Sequence, residues 1–291
     1  MKPRVVFLLV LSSLAGYFTA SVLTSKINWL DVFILILAGY LSSGGANAVN
    51  SWFDRDIDKI MYRTKKRPIP EGYISPNKAL LWAITSIFLG VGLAYFFLNP
   101  LSSLMMLIGA IWYAVFYTMI LKRSTRWNII WGGLAGTFPV YAGWAASLND
   151  LSFALPWLIG LTVWIWIPLH FWSLAIRFRK EYAEVNVPML PVVIGIKRTV
   201  PFISKSGLLM TMAALSIIFT SLTGLIYTLG LIPLSYWIMK KTWMTIKNPS
   251  EKNSWTLFKV SNVYLIMVDF LLIIDAIMAI YLRFPTFGIF I

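Results

Sequence analysis

Residues 30–68 read LDVFILILAGYLSSGGANAVNSWFDRDIDKIMYRTKKRP. Over roughly 20 residues the first half is apolar enough for a helix that crosses the hydrocarbon core of a bilayer. It ends in three oxygen-bearing side chains, Asn50, Asp54 and Asp58, and runs on into Arg63, Lys65, Lys66 and Arg67. If the helix continues past the bilayer core, the i, i+4, i+8 spacing stacks Asn50, Asp54 and Asp58 on one face. Asp56 lies about 200° round and points elsewhere. Carboxylates stacked this way repel unless a cation lies between them, and oxygen ligands suit Mg²⁺ shared with a substrate phosphate. The arginines beyond them suit bidentate phosphate recognition. The alternative is a solvated juxtamembrane loop. Against it, anionic lipid at a membrane edge attracts basic side chains and gives acids no such reason to gather.

The pattern of apolar run and charged rim recurs along the chain. Of 291 residues, 59% are hydrophobic and 12% charged, and the mean hydropathy is +0.76. A soluble domain averages about 45–50% apolar and about 25% charged residues, so the excess requires a lipid solvent. Candidate spans fall at 4–23, 30–49, 79–98, 101–121, 128–148, 153–176, 207–223, 225–243 and 260–282. The expected fold is all-α, a polytopic membrane bundle of about nine transmembrane helices, with residues 1–291 forming one domain. The seventh and eighth spans are divided only by Thr223-Gly224. The apolar run at 5–23 has no clear small-residue cleavage site and further spans follow it, so it reads as a span and not as a cleaved signal peptide.

The net charge is +14. On a soluble protein that would suggest nucleic acid; here the preference of cytoplasmic loops for Lys and Arg accounts for it, and no nucleic-acid partner is expected. With the N-terminus in the cytoplasm, 23 of the 25 basic residues fall in inside segments, leaving Lys26 and Arg283 outside. This segregation supports both the span count and the orientation. The chain has no cysteine and a single histidine, His170. Disulfides, thiol catalysis and a multi-histidine metal site within one chain are therefore excluded. The two long inside loops, 50–78 and 177–205, each mix carboxylates, bases and prolines and stand four spans apart, which hints at a duplicated four-span unit.

The second loop carries the second constellation, LHFWSLAIRFRKEYAEVNVPMLPVV, at 169–193. Glu181 and Glu184 are i, i+3, among Arg177, Arg179, Lys180 and Tyr182. His170, Leu174, Arg177 and Glu181 share a helical face, with His170 about 10 Å deeper than Arg177. It is either an ordinary satisfied polar residue of a bundle or a residue facing a substrate cavity, since ionisable residues in a membrane usually line functional interiors. A third segment, at 117–144, places Lys122, Arg123 and Asn128 at a span end and Gly132, Gly133 and Gly136 within a span. The glycines read as helix packing. Asp269 and Asp275 lie inside the last span, and the sequence assigns neither a role.

Together these segments resemble the intramembrane aromatic prenyltransferase superfamily. Its first signature, Asn-x-x-x-Asp-x-x-x-Asp after the second helix, is met by Asn50, Asp54 and Asp58. Within the superfamily, DRDIDKIMYRTKKRP (54–68), LKRSTRWNIIWGGLAGTFPVYAGW (121–144), HFWSLAIRFRKEYAEVNVPMLPVV (170–193) and LFKVSNVYL (257–265) resemble the protohaem IX farnesyltransferases, as does the opening KPRVVFLLVLSSLAGYFTA (2–20). The resemblance runs almost end to end. It implies a bundle round a central cavity, in the cell membrane, with the N-terminus and the catalytic loops cytoplasmic. It implies transfer of the farnesyl group of farnesyl diphosphate to a vinyl group of haem b, with water supplying a hydroxyl, to give haem O. Asn50, Asp54, Asp58 and Glu181 would be catalytic, and Asp54, Asp58 and Glu181 would hold Mg²⁺. Arg63, Arg67, Lys122, Arg123, Asn128, His170, Arg177, Lys180 and Tyr182 would bind substrate. A haem A synthase or terminal oxidase assembly would be the receiving partner, with membrane lipid around the whole. Glu181 stands where the family usually has Asp before the Tyr and reaches one methylene further.

Such chemistry suits a membrane chamber. Ionising an allylic diphosphate puts negative charge on the leaving group, which Mg²⁺ and basic side chains stabilise, while the cation left behind needs a dry site. Two other readings compete. A prenyltransferase acting on a quinone precursor or glycerol lipid is opposed by the HFWSLAI and VPMLPVV segments. A transporter with a midplane ion site is opposed by the gathering of most carboxylates at one rim.

Overall fold

The computed structural model describes residues 2–282. Helix α1 (Pro3–Thr24) carries Pro3 in its first turn, where the missing N–H costs nothing, and ends at Ser25 in the left-handed region. In α2 (Trp29–Phe53) the Asn28 side chain caps the helix by accepting from the Leu30 N–H. Next come α3 (Arg55–Ile60), α4 (Pro76–Phe97) and α5 (Pro100–Ile111). The last continues as a π-helical stretch, Trp112–Leu121, into a closing turn, α6 (Lys122–Ser124). The chain goes on through α7 (Asn128–Gly133), α8 (Phe138–Leu148), α9 (Ala154–Arg177), α10 (Arg179–Glu184), α11 (Leu190–Ser216), α12 (Leu225–Lys247) and α13 (Glu251–Leu282).

Among the described residues, seven helices are long and apolar enough to cross a membrane: α1, α2, α4, Pro100–Ser124, α9, Leu190–Phe219 and α13. Large apolar side chains such as Phe88, Phe96 and Leu229 lie exposed on outer faces, where lipid and not water would meet them. The protein is a multi-pass membrane protein. The expected spans at 128–148 and 225–243 depart from this pattern. The first is broken by a tight turn, Leu134–Gly136, next to Pro139. The second is one helix of 23 residues, but Pro233, Lys240 and Lys241 dilute its hydropathy. The expected span at 207–223 starts much earlier, at Leu190, and bends at Gly195, whose φ of 79° only glycine adopts readily. Arg283, one of the two basic residues expected outside, lies beyond the described residues.

The helices close on themselves: α2 packs on α4, α9 on α11, α12 on α13, and α13 returns to α1. Helices α1 and α8 approach until Gly16 faces the Val140 carbonyl and Gly143 the Ser13 carbonyl, the small-residue contact by which membrane helices associate. The two intramembrane acids serve this packing. Asp269 accepts a hydrogen bond from the Ser12 hydroxyl at 2.7 Å, tying α13 to α1. Asp275 accepts from the Gly224 and Tyr227 N–H groups at 2.6 and 3.1 Å, satisfying donors at the start of α12 that lipid could not.

Two junctions are built alike. At Asp54, between α2 and α3, and at Phe178, between α9 and α10, one residue leaves helical geometry. The hydrogen-bond ladder still crosses each break, from Asp54 N–H to the Asn50 carbonyl and from Phe178 N–H to the Leu174 carbonyl. Both junctions lie at the same end of the bundle, where the Arg63 N–H donates to Glu181 at 3.2 Å.

Candidate active site

A cavity of about 1070 Å³ opens at that end and descends between α1, α2, α5, α7, α9 and α13. It is at the upper limit of the usual size for ligand sites. Its mouth is charged. Five basic side chains, Lys2, Arg4, Arg63, Arg67 and Lys122, line it with two acids, Asp54 and Asp58. This excess of positive charge favours an anion.

The acids sit on the face that helical phase demands. Asp54 and Asp58 are 1% and 3% exposed, and Asn50 on the same face is 2% exposed. The Asn50 amide donates to Asp54 at 2.9 Å and to the Thr118 hydroxyl at 3.1 Å. Asp54 is ion-paired with Lys122, and Asp58 with Arg67 at 2.6 Å. The like charges are thus held apart by resident cations. Asp56 points outward, with 58% of its side chain exposed, and takes both nitrogens of Arg123 at 2.6 and 2.7 Å. That guanidinium holds the Asp56 carboxyl down to about 2.

Around this cluster stand groups that reach it from elsewhere in the chain. Lys2 donates to the Asn50 side-chain oxygen and lies 3.3 Å from the Tyr113 hydroxyl. Burial first, and then the charges of Arg67 and Lys122, lower its amine to about 7. Arg63 donates to the Tyr182 hydroxyl at 3.2 Å and covers the Phe178 ring. Tyr113 and Tyr117 stack with centroids 5.6 Å apart and face the cavity from the π-helical stretch. That stretch sets its own phase: Lys122 N–H bonds the Tyr117 carbonyl, five residues back.

Deeper down the walls turn apolar and aromatic. Trp166, Phe171 and Phe258 line the cavity with His170. The imidazole lies between two rings, Trp166 at 4.2 Å and Phe258 at 4.5 Å between centroids.

Of the residues singled out in sequence, Asn50, Asp54, Asp58, Arg63, Arg67, Lys122, His170 and Tyr182 face this one cavity. Five stand outside its wall. Glu181 is tied to the Arg63 backbone. Arg123 holds Asp56, and Asn128 is wholly buried, donating to the Lys122 carbonyl. Arg177 lies 3.8 Å from Glu251, and Lys180 is exposed. Sequence reading missed Lys2, Tyr113, Tyr117, Trp166 and Phe258. Lys2 counted only as an orientation charge, and composition, which implies that some aromatic rings line a cavity for a flat or polyene substrate, does not choose which.

The donor set decides how a divalent cation could be held. Among the described residues no three acidic or histidine side chains converge as one cluster, so Asp54, Asp58 and Glu181 do not form a ready-made three-ligand cage. Asp54 and Asp58 nonetheless present buried carboxylates to the charged mouth. Mg²⁺ is commonly held by one or two carboxylates together with substrate phosphates and water. The residues fit that mode.

An apolar membrane chamber that opens at a rim lined by two acids and five bases suits a substrate with an anionic head and an apolar tail. Residues 9–263 match the model of the UbiA prenyltransferase family, and the chain belongs to that family. It is 37% identical over 278 residues to the protoheme IX farnesyltransferase of Trichodesmium erythraeum, covering 95% of this chain and 84% of the relative. It is 38% identical over 275 residues to that of Desulforudis audaxviator, covering 94% and 86%. Among solved structures, a digeranylgeranylglyceryl phosphate synthase superposes with a TM-score of 0.74 at 17% identity, covering 95% of this chain and 99% of the other. A UbiA homolog from Archaeoglobus fulgidus bound to GPP and Mg²⁺ superposes with a TM-score of 0.63 at 15% identity, covering 93% and 98%. At these identities the likeness is one of fold.

Proposed function

We propose that the protein is a protohaem IX farnesyltransferase, moving the farnesyl group of farnesyl diphosphate to a vinyl group of haem b. The bond from farnesyl C1 to the diphosphate oxygen breaks and a carbon–carbon bond to the vinyl group forms. Water adds at the resulting cationic carbon, and haem O, diphosphate and a proton result. The observation that carries this reading is one cavity with a cationic mouth around Asp54 and Asp58 and an aromatic floor around His170. Identity of 35–38% to protoheme IX farnesyltransferases over nearly the whole chain supports the choice of acceptor.

Asp54 and Asp58 would hold Mg²⁺, which neutralises the departing diphosphate when bound. Asn50 orients the Asp54 carboxylate through its amide. Arg63, Arg67, Lys122 and Lys2 bind diphosphate oxygens, and their charge opposes the charge that develops as the bond breaks. Glu181 is the third acid in this reading. It is bonded to the Arg63 backbone and adjoins Tyr182, so it bears on the same loop from outside the wall. The apolar walls keep water from the allylic cation until the acceptor has reacted.

The charge segregation supports an N-terminus and a cavity mouth on the cytoplasmic side of the cell membrane. A product that carries a farnesyl tail stays in the bilayer, where a haem A synthase or terminal oxidase assembly would receive it. The test is incubation of the purified protein with haem b, farnesyl diphosphate and Mg²⁺, followed by mass analysis of the haem. A farnesyl adduct with one added water is expected. Unmodified haem beside a prenylated quinone precursor or lipid would overturn the assignment.

A further inference from the structure

His170 is held in a way that packing alone does not require. Its Nδ1 lies 2.9 Å from the Ser261 hydroxyl of α13. That hydroxyl donates its only proton to the Phe258 carbonyl at 2.8 Å. With that proton on the Phe258 carbonyl, the Ser261 oxygen accepts from the histidine, which places the hydrogen on Nδ1 and leaves the Nε2 lone pair free. Trp166, one turn before His170 on α9, donates its indole N–H to the Ser261 carbonyl at 2.7 Å. One residue of α13 thus anchors both rings of the α9 pair, and Phe258 closes the other face of the imidazole. The ring can neither flip nor tilt without breaking these contacts.

With Nδ1 bonded to Ser261 and the ring lining the cavity, Nε2 is the nitrogen left for a ligand, the arrangement of a metal-binding histidine. His170 lines the cavity about 10 Å below the rim, from seven residues of helix at a rise of ~1.5 Å. Its surroundings are flat and aromatic. We infer that His170 Nε2 is an axial ligand to the iron of the haem acceptor, with Ser261 as the positioning residue that fixes its tautomer. This rests on haem b being the acceptor, and it adds how the acceptor is oriented. Iron held at the floor leaves the porphyrin edge free to meet the prenyl carbon beneath the diphosphate clamp. No bond of the porphyrin changes on ligation, and the nitrogen donates its lone pair only.

The experiment uses the full-length protein in lipid nanodiscs, titrated with ferric haem b and, separately, with metal-free protoporphyrin IX. Absorption and electron paramagnetic resonance read the ligation of the iron. The wild type should give the spectrum of imidazole-ligated haem. His170→Gly should lose that signature, regain it on addition of free imidazole, and bind metal-free protoporphyrin as the wild type does, which reports an intact chamber. Ser261→Ala should keep the chamber and weaken iron affinity by about 10–100-fold, the usual cost of losing a group that orients a ligand. If haem b is bound and farnesylated but His170→Gly leaves the spectrum unchanged, ligation is overturned while the acceptor assignment stands. If the wild type prenylates another acceptor and ignores haem b, both fall together.

Discussion

The Asp54 carboxylate at the end of α2 is ion-paired with Lys122 beyond the end of α5, 68 residues away in the chain. The Asp54 side chain is 1% exposed and that of Lys122 12%, so the pair is largely shielded from water. Removing one member of a buried pair strands the other at a cost of about 3–5 kcal/mol. Lys122→Met should therefore lower the melting temperature in detergent as well as the turnover. Adding Asp54→Asn to it should recover stability but no activity. Recovery of activity in the double variant would show that the pair serves folding alone.

Helical phase separates the three acids of the segment. Asp54→Asn and Asp58→Asn should each reduce haem farnesylation by about 10²–10³-fold, the scale for one lost electrostatic contact to a transition state. Asp56 holds Arg123 on the outer face, so Asp56→Asn should cost little turnover and show itself in loop stability. Equal losses at all three positions would mean that the outer face also meets substrate.

Glu181 separates metal chemistry from loop anchoring. If it is the third acid, Glu181→Asp should keep much of the activity and Glu181→Gln should lose most of it, because an amide is a poor Mg²⁺ ligand. If its task is only to accept from the Arg63 N–H, the amide oxygen of Gln should serve and both variants should turn over alike.

Lys2 supplies a pH dependence. Its amine, lowered to about 7, is charged below that value and neutral above it. Arg67, Lys122, Asp54, Asp58, the Asn50 side-chain oxygen and the Tyr113 hydroxyl are the polar groups that face it. Because the unfolded amine keeps its proton up to the ordinary lysine value of 10.5 while the folded one loses it above about 7, the unfolded state binds more protons between those values; the folding penalty of the buried charge is full below pH 7, shrinks between there and 10.5, and is absent above. Binding follows the same protonation: a charged Lys2 favours the diphosphate. The KM for farnesyl diphosphate should rise as pH passes upward through about 7, and Lys2→Met should flatten that rise. A wild-type profile flat from pH 6 to about 9 would remove Lys2 from substrate binding.

Two glycines give a paired stability test. A Cβ at Gly143 would strike the Ser13 carbonyl, whereas one at Gly92 meets nothing within 4 Å. Gly143→Ala should destabilise by about 1–3 kcal/mol or more through overpacking between α8 and α1. Gly92→Ala should be neutral or gain up to about 1 kcal/mol of helix propensity. Thermal unfolding in detergent, monitored by intrinsic fluorescence, separates the two.

What the sequence revealed depended on distance along the chain. The shared face of Asn50, Asp54 and Asp58 was legible because helical periodicity is local, and it survives the break at Asp54 because the ladder crosses it. Pairing of Asp54 with Lys122 was not legible, since nothing local links residues 68 apart. The break in the fifth expected span has a local signal in Gly132, Gly133, Gly136 and Pro139, yet the glycines read equally well as packing positions in one straight helix. Gly132 does pack, against the Tyr117 ring. The role of Asp275 stayed hidden because its partners are backbone N–H groups, which every residue but proline offers.

The π-helical stretch at Trp112–Leu121 makes residue number itself a working part of the protein. Each residue removed from a helix turns the segment beyond the cut by about 100° relative to the segment before it. A deletion anywhere in those ten positions would let the wide turns relax to an ordinary helix, whatever residue was lost. Lys122 would then swing away from Asp54 and Arg123 from Asp56, with every side chain at the rim still present. A substitution at an outward position of the stretch, such as the exposed Ile120, would keep the register, whereas a gap of one would detach the α5 side of the mouth from the α2 side.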